Sequence, residues 1–349
     1  MATPRWLRAR NVVVPLAVLG LIVVVDALLP ADIVVSGAFA VAAIVASAIA
    51  TVRQTALVAV AALCLAAVSG LWNQNVGTVD WWVRLSTTLL LGALAVILAT
   101  VRVRREAQLR QMTAIAEAAQ RALLRAMPSS IDSLGFAARY VSAAHEALVG
   151  GDLYEVAETD SGVRVIVGDV RGKGLDAVQM AATVLAAFRR VAVTAPSLTT
   201  AARHLDEVVK SVAGDEDFVT VVLAEFHRDF TVTLVNCGHP PPLLVTAANG
   251  GRLVNTGVPA LPLGLGPLPD PVTFELPYRA RLLFYTDGLV ETRNHKGHFF
   301  PLDDRVAAAL HAGTPGDSLD ALLTLLNDYA GHHINDDVAL LLVEHRASA

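Results

Sequence analysis

The chain has 349 residues, of which 54 % are apolar, enough for a membrane segment and one sizeable domain. Its charge is split: eight basic and three acidic residues lie before residue 106, and the remaining 19 basic and 29 acidic residues leave the rest near −10. That acidity excludes a nucleic-acid binder, which needs phosphate-neutralising Lys and Arg; two cysteines, Cys64 and Cys237, exclude a disulfide framework and suit a reducing compartment.

Residues 11 to about 101 are almost continuously apolar. Four segments, about 12–29, 33–52, 56–72 and 81–101, each approach the ~20 residues needed to cross a bilayer as a helix. Breaks fall at Pro30–Asp32, Arg53–Thr55 and Asn73–Asp80. Asp26 and Arg84 lie near segment ends, where a charge can snorkel, and Trp72, Trp81 and Trp82 suit an interfacial belt. Arg5, Arg8 and Arg10 precede the first segment, Arg53 separates the second from the third, and Arg102, Arg104 and Arg105 follow the fourth. The other two loops have no Lys or Arg. With four spans all basic regions fall on one side, which predicts a multi-pass protein with its N-terminus and C-terminal domain in the cytoplasm. A cleaved signal peptide is the competing reading, disfavoured because three further apolar segments follow. The short outer loops leave little room for a ligand-binding domain. The spans therefore either anchor the chain or sense through lipid or a partner.

Residues 102–127 read as one helix stopped by Pro128, within a linker region 102–130. Leu109, Met112, Ala116, Ala119, Leu123 and Ala126 repeat at spacings of three and four, a short heptad seam. It serves either a parallel homodimer or packing against the chain's own domain.

From Ile131 short apolar runs alternate with Gly, Pro, Asn and Asp. The strand candidates are Val163–Val167, Val219–Phe226, Thr231–Asn236, Pro242–Val245, Arg281–Thr286 and Val338–Val343. The helix candidates are Leu175–Val193, Thr199–Val212 and Leu319–Ala330. Strands that follow one another without helices between them predict antiparallel sheets and an α+β domain over 131–349. Aspartates mark the strand ends. Asp152 follows Gly150-Gly151, Asp169 follows a strand and Gly168, Asp287 follows a strand and precedes Gly288, and Asp336 and Asp337 precede the last strand. Any one of them alone suits a turn. As a set they offer hard oxygen donors to Mg²⁺ or Mn²⁺.

The segments Gly150-Gly151-Asp152-Leu153-Tyr154-Glu155 and Gly168-Asp169-Val170-Arg171-Gly172-Lys173-Gly174 resemble the two opening motifs of the SpoIIE-type branch of the PP2C phosphatases, the RsbU-like enzymes. Asn236-Cys237-Gly238-His239-Pro240-Pro241, Tyr285-Thr286-Asp287-Gly288-Leu289-Val290-Glu291 and Asn335-Asp336-Asp337-Val338 resemble later motifs in the family's order. The resemblance covers about residues 120–345. It implies a PP2C-like αββα sandwich holding two Mn²⁺ or Mg²⁺ ions, with a metal-activated water hydrolysing phosphoserine or phosphothreonine. By the same resemblance Asp169 and Asp152 are the catalytic aspartates. The metal ligands would be Asp152, Asp169, the Val170 carbonyl, Asp287 and Asp336, the last chosen over Asp337 from motif position. The implied partner is a phosphorylated STAS-type anti-anti-sigma protein, and the implied setting a bacterial cell membrane.

Two positions depart from the family pattern. Glu155 stands where Asp is usual, and is expected near a metal-bound water. Ala339 stands where Thr is usual, which would remove a hydroxyl beside the metal aspartates. Arg171 and Lys173 are candidates for holding phosphate, or else solvated loop residues. The segment Gly168–Lys173 fails as a P-loop because its spacing is short and Gly174 replaces Ser/Thr. His145-Glu146 lacks a second His, His332 and His333 suit a solvated helix end better than a zinc site, and His239 before two prolines suits a turn. Besides an active phosphatase, the departures admit a catalytically weak module that binds a phosphoprotein. The membrane segments admit an enzyme gated by a signal through the linker helix and Leu175–Val193.

Overall fold

The computed structural model describes residues 5–28, 37–142, 150–214, 217–246, 250–331, 334 and 336–346. The chain forms two compact units, Met1–Gln111 and Met112–Ala349.

The first unit is helical: α1 (Arg5–Leu28), a 3₁₀ turn (Ala38–Ala40), α2 (Val41–Ile49), α3 (Val52–Trp72) and the first part of α4 (Val79–Leu123). Its interior is built from small residues, including Ala42, Ala43, Ala46, Ala62, Ala66 and Ala95, around Phe39 and Val58. Large apolar side chains, among them Leu21, Leu57, Leu90 and Ile97, face outward. Small inside and large apolar outside is the pattern of helices that pack closely in an apolar solvent. Within this unit Val52–Trp72 and Val79–Gln120 include stretches long and apolar enough to cross a membrane; Val12–Leu28 and Ala38–Ile49 are shorter apolar helices. The helix α3 begins earlier than its apolar segment because Thr51 and Gln54 form a capping box, which takes Arg53 into the helix. The break at Pro30–Asp32 and residues 33–36 of the second segment lie outside the described residues.

The expected boundary between residues 101 and 102 does not interrupt the helix. The fourth apolar segment and most of the linker form one 45-residue helix ending at Leu123. The heptad seam divides. Ala116 is buried against Val178, with Ala119 and Leu123 packed beside it, while Leu109 and Met112 are exposed.

The second unit stacks four layers. One sheet has the order β1 (Ser130–Ile131), β2 (Leu134–Val141), β11 (Val338–His345), β10 (Arg281–Tyr285), β7 (Leu243–Thr246), β8 (Gly250–Leu253). The other runs β3 (Leu153–Thr159), β4 (Gly162–Val170), β5 (Val219–His227), β6 (Thr231–Cys237), β9 (Val272–Glu275). Neighbouring strands are antiparallel throughout. The two-residue period of a strand sorts the side chains. Val163, Val165 and Val167 of β4 meet Ala339, Leu341 and Val343 of β11 in the core between the sheets. Ile166 faces the other way, onto α5 (Leu175–Thr194) and α6 (Leu198–Val212). On the opposite outer face Val338, Leu340 and Leu342 pack against α8 (Asp304–His311) and α9 (Pro315–Ala330). The short α7 (Asp287–Glu291) follows β10. The apolar run of α5 is thus accounted for by burial under a sheet.

All six strand candidates and all three helix candidates of this unit are present, with ends moved by a few residues. The strands β2 and β3 were not anticipated. Each is covered on both faces near its start, so apolar and polar residues do not alternate cleanly, and β3 also carries Glu155 and Glu158.

Two buried arginines fasten the outer helices. Arg164 of β4 donates to the Ala192 and Ala195 carbonyls at the end of α5 and pairs with Glu225 at 3.1 Å. Arg281 of β10 donates to the Leu310 carbonyl in the last turn of α8 and the Gly313 carbonyl just beyond it, and pairs with Glu344 at 2.6 Å.

Candidate metal centre

The aspartates converge where the two sheets end. Leu153 of β3 is in register with Gly168 of β4, so Asp152, just before β3, comes beside Asp169. Asp287 begins α7 directly after β10, and Asp336 and Asp337 lead into β11, the neighbour of β10. The cleft they line has a volume of about 290 Å³ and includes Val170, Arg171, Lys173, Phe218 and Thr220. Close backbone approach explains the motif glycines. A Cβ on Gly150 would collide with the Asp337 carboxylate, and one on Gly288 with the Asp337 carbonyl oxygen.

Burial and mutual repulsion raise the carboxylates of the cleft. Burial, then the charge of Asp287, pushes Asp169 up to about 7. Burial, then the charge of Asp169, raises Asp152 well above the carboxylate range. Asp287 is raised by burial, then by Glu291 and Asp336. Lys173 Nζ meets Asp336 Oδ1 at 2.8 Å, and this contact raises the lysine's own pKa. Among the described residues, no three acidic, histidine or cysteine side chains are drawn together into a ready-made cation site. The donors nevertheless suit a hard divalent ion: all are oxygens, and their mutual repulsion is opposed in the cleft by a half-exposed lysine.

The two adjacent aspartates differ in their surroundings. Asp337 is buried, and its Oδ2 accepts from the Gly150 amide at 2.5 Å and stands 2.8 Å from the Tyr140 hydroxyl. Asp336 is half-exposed on the cleft, beside Lys173. Arg171 lies over the Phe218 ring, 5.4 Å from its centre. Asn335 lies outside the described residues, as do His145, Glu146, His332 and His333.

Two expectations are corrected. Glu155 does not line the cleft. It lies two residues from Leu153 on the same strand face, toward α5, and its carboxylate is held by Arg189 at 2.6 Å. Ala339 does not leave a gap beside the aspartates. Its methyl group is in the core between the sheets, and the hydroxyl against the acidic cluster belongs to Thr286. Thr286 Oγ1 donates to Asp152 Oδ2 at 2.8 Å and accepts from the Ala339 amide at 2.9 Å.

Other supporting residues escaped sequence reasoning. Gln120, buried in the last turns of α4, donates from Nε2 to the Gly150 carbonyl at 3.0 Å and the Asp152 carbonyl at 3.4 Å. The Tyr140 hydroxyl, with its single proton, lies between Gln120 Oε1 at 2.9 Å and Asp337 Oδ2. His239 is more than a turn-former. Its amide and carbonyl are clasped by the Asn236 side chain, its Nε2 meets the Tyr285 carbonyl at 3.1 Å, and its Nδ1 meets Thr220 Oγ1 at 3.1 Å. A carbonyl only accepts, so Nε2 carries the proton and Nδ1 accepts. Burial lowers this histidine to about 3, and it stays neutral while tying β5 to the end of β10.

Comparison with known proteins agrees with this geometry. Residues 159–346 match the family described as Stage II sporulation protein E (SpoIIE). The RsbU and RsbW domains of a Mycobacterium tuberculosis protein are similar at 30 % identity and a TM-score of 0.55, over 63 % of this chain and 62 % of that one. The SiaA PP2C domain of Pseudomonas aeruginosa shares the fold at 18 % identity and a TM-score of 0.56, over 70 % of this chain and 99 % of that one. The PP2C domain and regulatory fragment of SpoIIE from Bacillus subtilis share it at 17 % identity and a TM-score of 0.51, over 62 % and 64 %. The matched region thus spans less than two thirds of the first and last of these proteins.

Proposed function

Because the chain belongs to the SpoIIE family, we propose that it is a metal-dependent protein phosphatase acting on phosphoserine or phosphothreonine. The observation that carries this reading is the convergence of acidic segments at one end of the sandwich, with Asp169 pushed up to about 7. Asp152, Asp169, Asp287, Asp336 and the Val170 carbonyl would hold two Mn²⁺ or Mg²⁺ ions. Such ions, when bound, supply an acidified water and neutralise charge on phosphoryl oxygens.

The chain's own residues prepare the site. Thr286 fixes the rotamer of Asp152, and Asp337 fixes the Gly150 loop that presents it. With Asp337 engaged in this way, Asp336 is the better ligand. Lys173 and Arg171 flank the cleft as the cationic side chains that would orient a phosphate.

The substrate we assign by family analogy is a phosphorylated STAS-type anti-anti-sigma protein, and the helical unit would embed the enzyme in a bacterial membrane with the phosphatase in the cytoplasm. Phosphate release from such a phosphoprotein by the full-length protein tests this: release should require Mn²⁺ or Mg²⁺ and vanish in Asp169→Asn. Absence of metal-dependent release from any phosphoserine or phosphothreonine protein would overturn the enzymatic reading.

A second reading, a signal-gated enzyme, is favoured by Gln120. A residue of the linker helix holds the Gly150 and Asp152 carbonyls, so a change in that helix reaches the site directly. Gln120→Ala should change Mn²⁺ affinity, read by calorimetry, as well as turnover. Unchanged affinity and turnover would remove the basis for gating.

A further inference from the structure

Away from the cleft, the helical unit contains a charged cluster left partly unsatisfied. Arg84, six residues into α4, has a fully buried side chain. Its Nη1 donates to Ser69 Oγ of α3 and stands 3.8 Å from Asp26 Oδ2 of α1, beyond hydrogen-bonding distance. That aspartate oxygen instead accepts from Trp72 Nε1 at 3.2 Å and Asn73 Nδ2 at 3.1 Å. The other edge of the guanidinium, Nε and Nη2, has no partner. Nor has Thr88 Oγ1, which lies one turn further along the same face and is equally buried. Among the described residues, eight buried side-chain polar atoms lack a partner, and three of them, Arg84 Nε and Nη2 and Thr88 Oγ1, lie one turn apart on α4. Buried polar groups are rarely left unmatched, so such a concentration calls for a ligand.

We propose that the helical unit binds a small carboxylate through the free edge of Arg84 and the Thr88 hydroxyl. The Nε and Nη2 hydrogens lie in one plane at the spacing of two carboxylate oxygens, the geometry of a bidentate pair. The unmatched atoms of Arg84 are donors, so the occupant is an acceptor. Asp26 is close enough to repel added negative charge, which favours a monoanion over a phosphate dianion. A lipid headgroup is disfavoured because the guanidinium is shut off from the unit's large-apolar exterior. Since Asp26, Ser69 and Arg84 come from α1, α3 and α4, occupation would be felt by three helices.

The four tryptophans, Trp6, Trp72, Trp81 and Trp82, all lie in this unit, and Trp72 touches Asp26, so their emission reads the site. The full-length protein in detergent micelles is titrated with acetate at constant pH and ionic strength. The wild type should give a saturable change. Arg84→Lys keeps the charge and loses the fork, and should bind at least about tenfold more weakly. Thr88→Val removes an unpartnered hydroxyl without disturbing a hydrogen bond, so it should fold normally and bind acetate more weakly; it decides the matter if the lysine variant does not fold. The proposal is overturned by no saturable acetate response in the wild type, by wild-type affinity in Thr88→Val, or by an equal response to inorganic phosphate.

Discussion

Replacing Thr286 by valine tests whether the acidic cleft is assembled by a neutral hydroxyl. Valine matches threonine in shape, so packing at this fully buried position is preserved. Two hydrogen bonds are lost. The Ala339 amide, which donates to Thr286 Oγ1 at 2.9 Å, becomes a buried unpaired N–H, at a cost of about 1–3 kcal/mol. Asp152 loses its 2.8 Å donor, at a further ~1 kcal/mol. A total of about 2–4 kcal/mol is a large part of the ~5–15 kcal/mol that holds a typical domain together. For a unit of this size it corresponds to a fall of roughly 5–15 °C in melting temperature. Tryptophan emission does not report on the phosphatase unit, because all four tryptophans precede residue 83. Circular dichroism follows the melt, and hydrogen exchange at the Ala339 amide gives the local reading. Thr286→Ser keeps both bonds and should melt close to the wild type. If Thr286→Val melts within about 1 °C of wild type, or Thr286→Ser falls as far as the valine variant, the assignment fails.

Asp336→Asn and Asp337→Ala should separate binding from structure: calorimetry should show weakened Mn²⁺ binding with little loss of stability for the first. The second should lower stability by about 1–3 kcal/mol, because the Gly150 amide loses its acceptor. Glu225→Ala leaves the buried Arg164 guanidinium without its carboxylate and should cost about 3–5 kcal/mol in urea unfolding, whereas replacing both partners by apolar residues should recover most of that loss. His239 supplies a pH dependence. The unfolded chain takes up its proton below about 6.5, but the folded histidine resists protonation down to about 3. Stability therefore declines as pH falls through that window, by at most ~1.4 kcal/mol per pH unit. The difference in urea midpoint between wild type and His239→Asn, measured at pH 7 and pH 5, should narrow at the lower pH. A constant difference would show that His239 is not held neutral.

The protein joins an ordinary water-facing sandwich to a helical unit of inverted character. In the phosphatase unit large aliphatic residues fill the interior, and the outer helices are tied down by buried arginines. In the helical unit the interior is alanine-rich and the large aliphatics face out, so a charged pair such as Asp26 and Arg84 stands apart from its surroundings.

What the sequence by itself determined was local. The run Val163–Val167 ends in Gly168-Asp169 and reads as a strand closing on a carboxylate, because the two-residue period and turn chemistry are encoded by neighbours. The apolar runs at 56–72 and 81–101 read as long helices for the same reason. The tertiary structure decided contacts between distant segments. The direction of Glu155 follows from which face of β3 meets α5, and that face is set by pairing with β4. The partner of Asp152 is Thr286, 134 residues away, and that of the Gly150 carbonyl is Gln120, 30 residues back on a helix read only for its heptads. The merger of the fourth apolar segment with the linker was also hidden, because Arg102, Arg104 and Arg105 signal a membrane boundary yet are good helix formers. Composition and period report what a segment prefers; which side chain meets which depends on register and layer packing, which arise only once the sheets have formed.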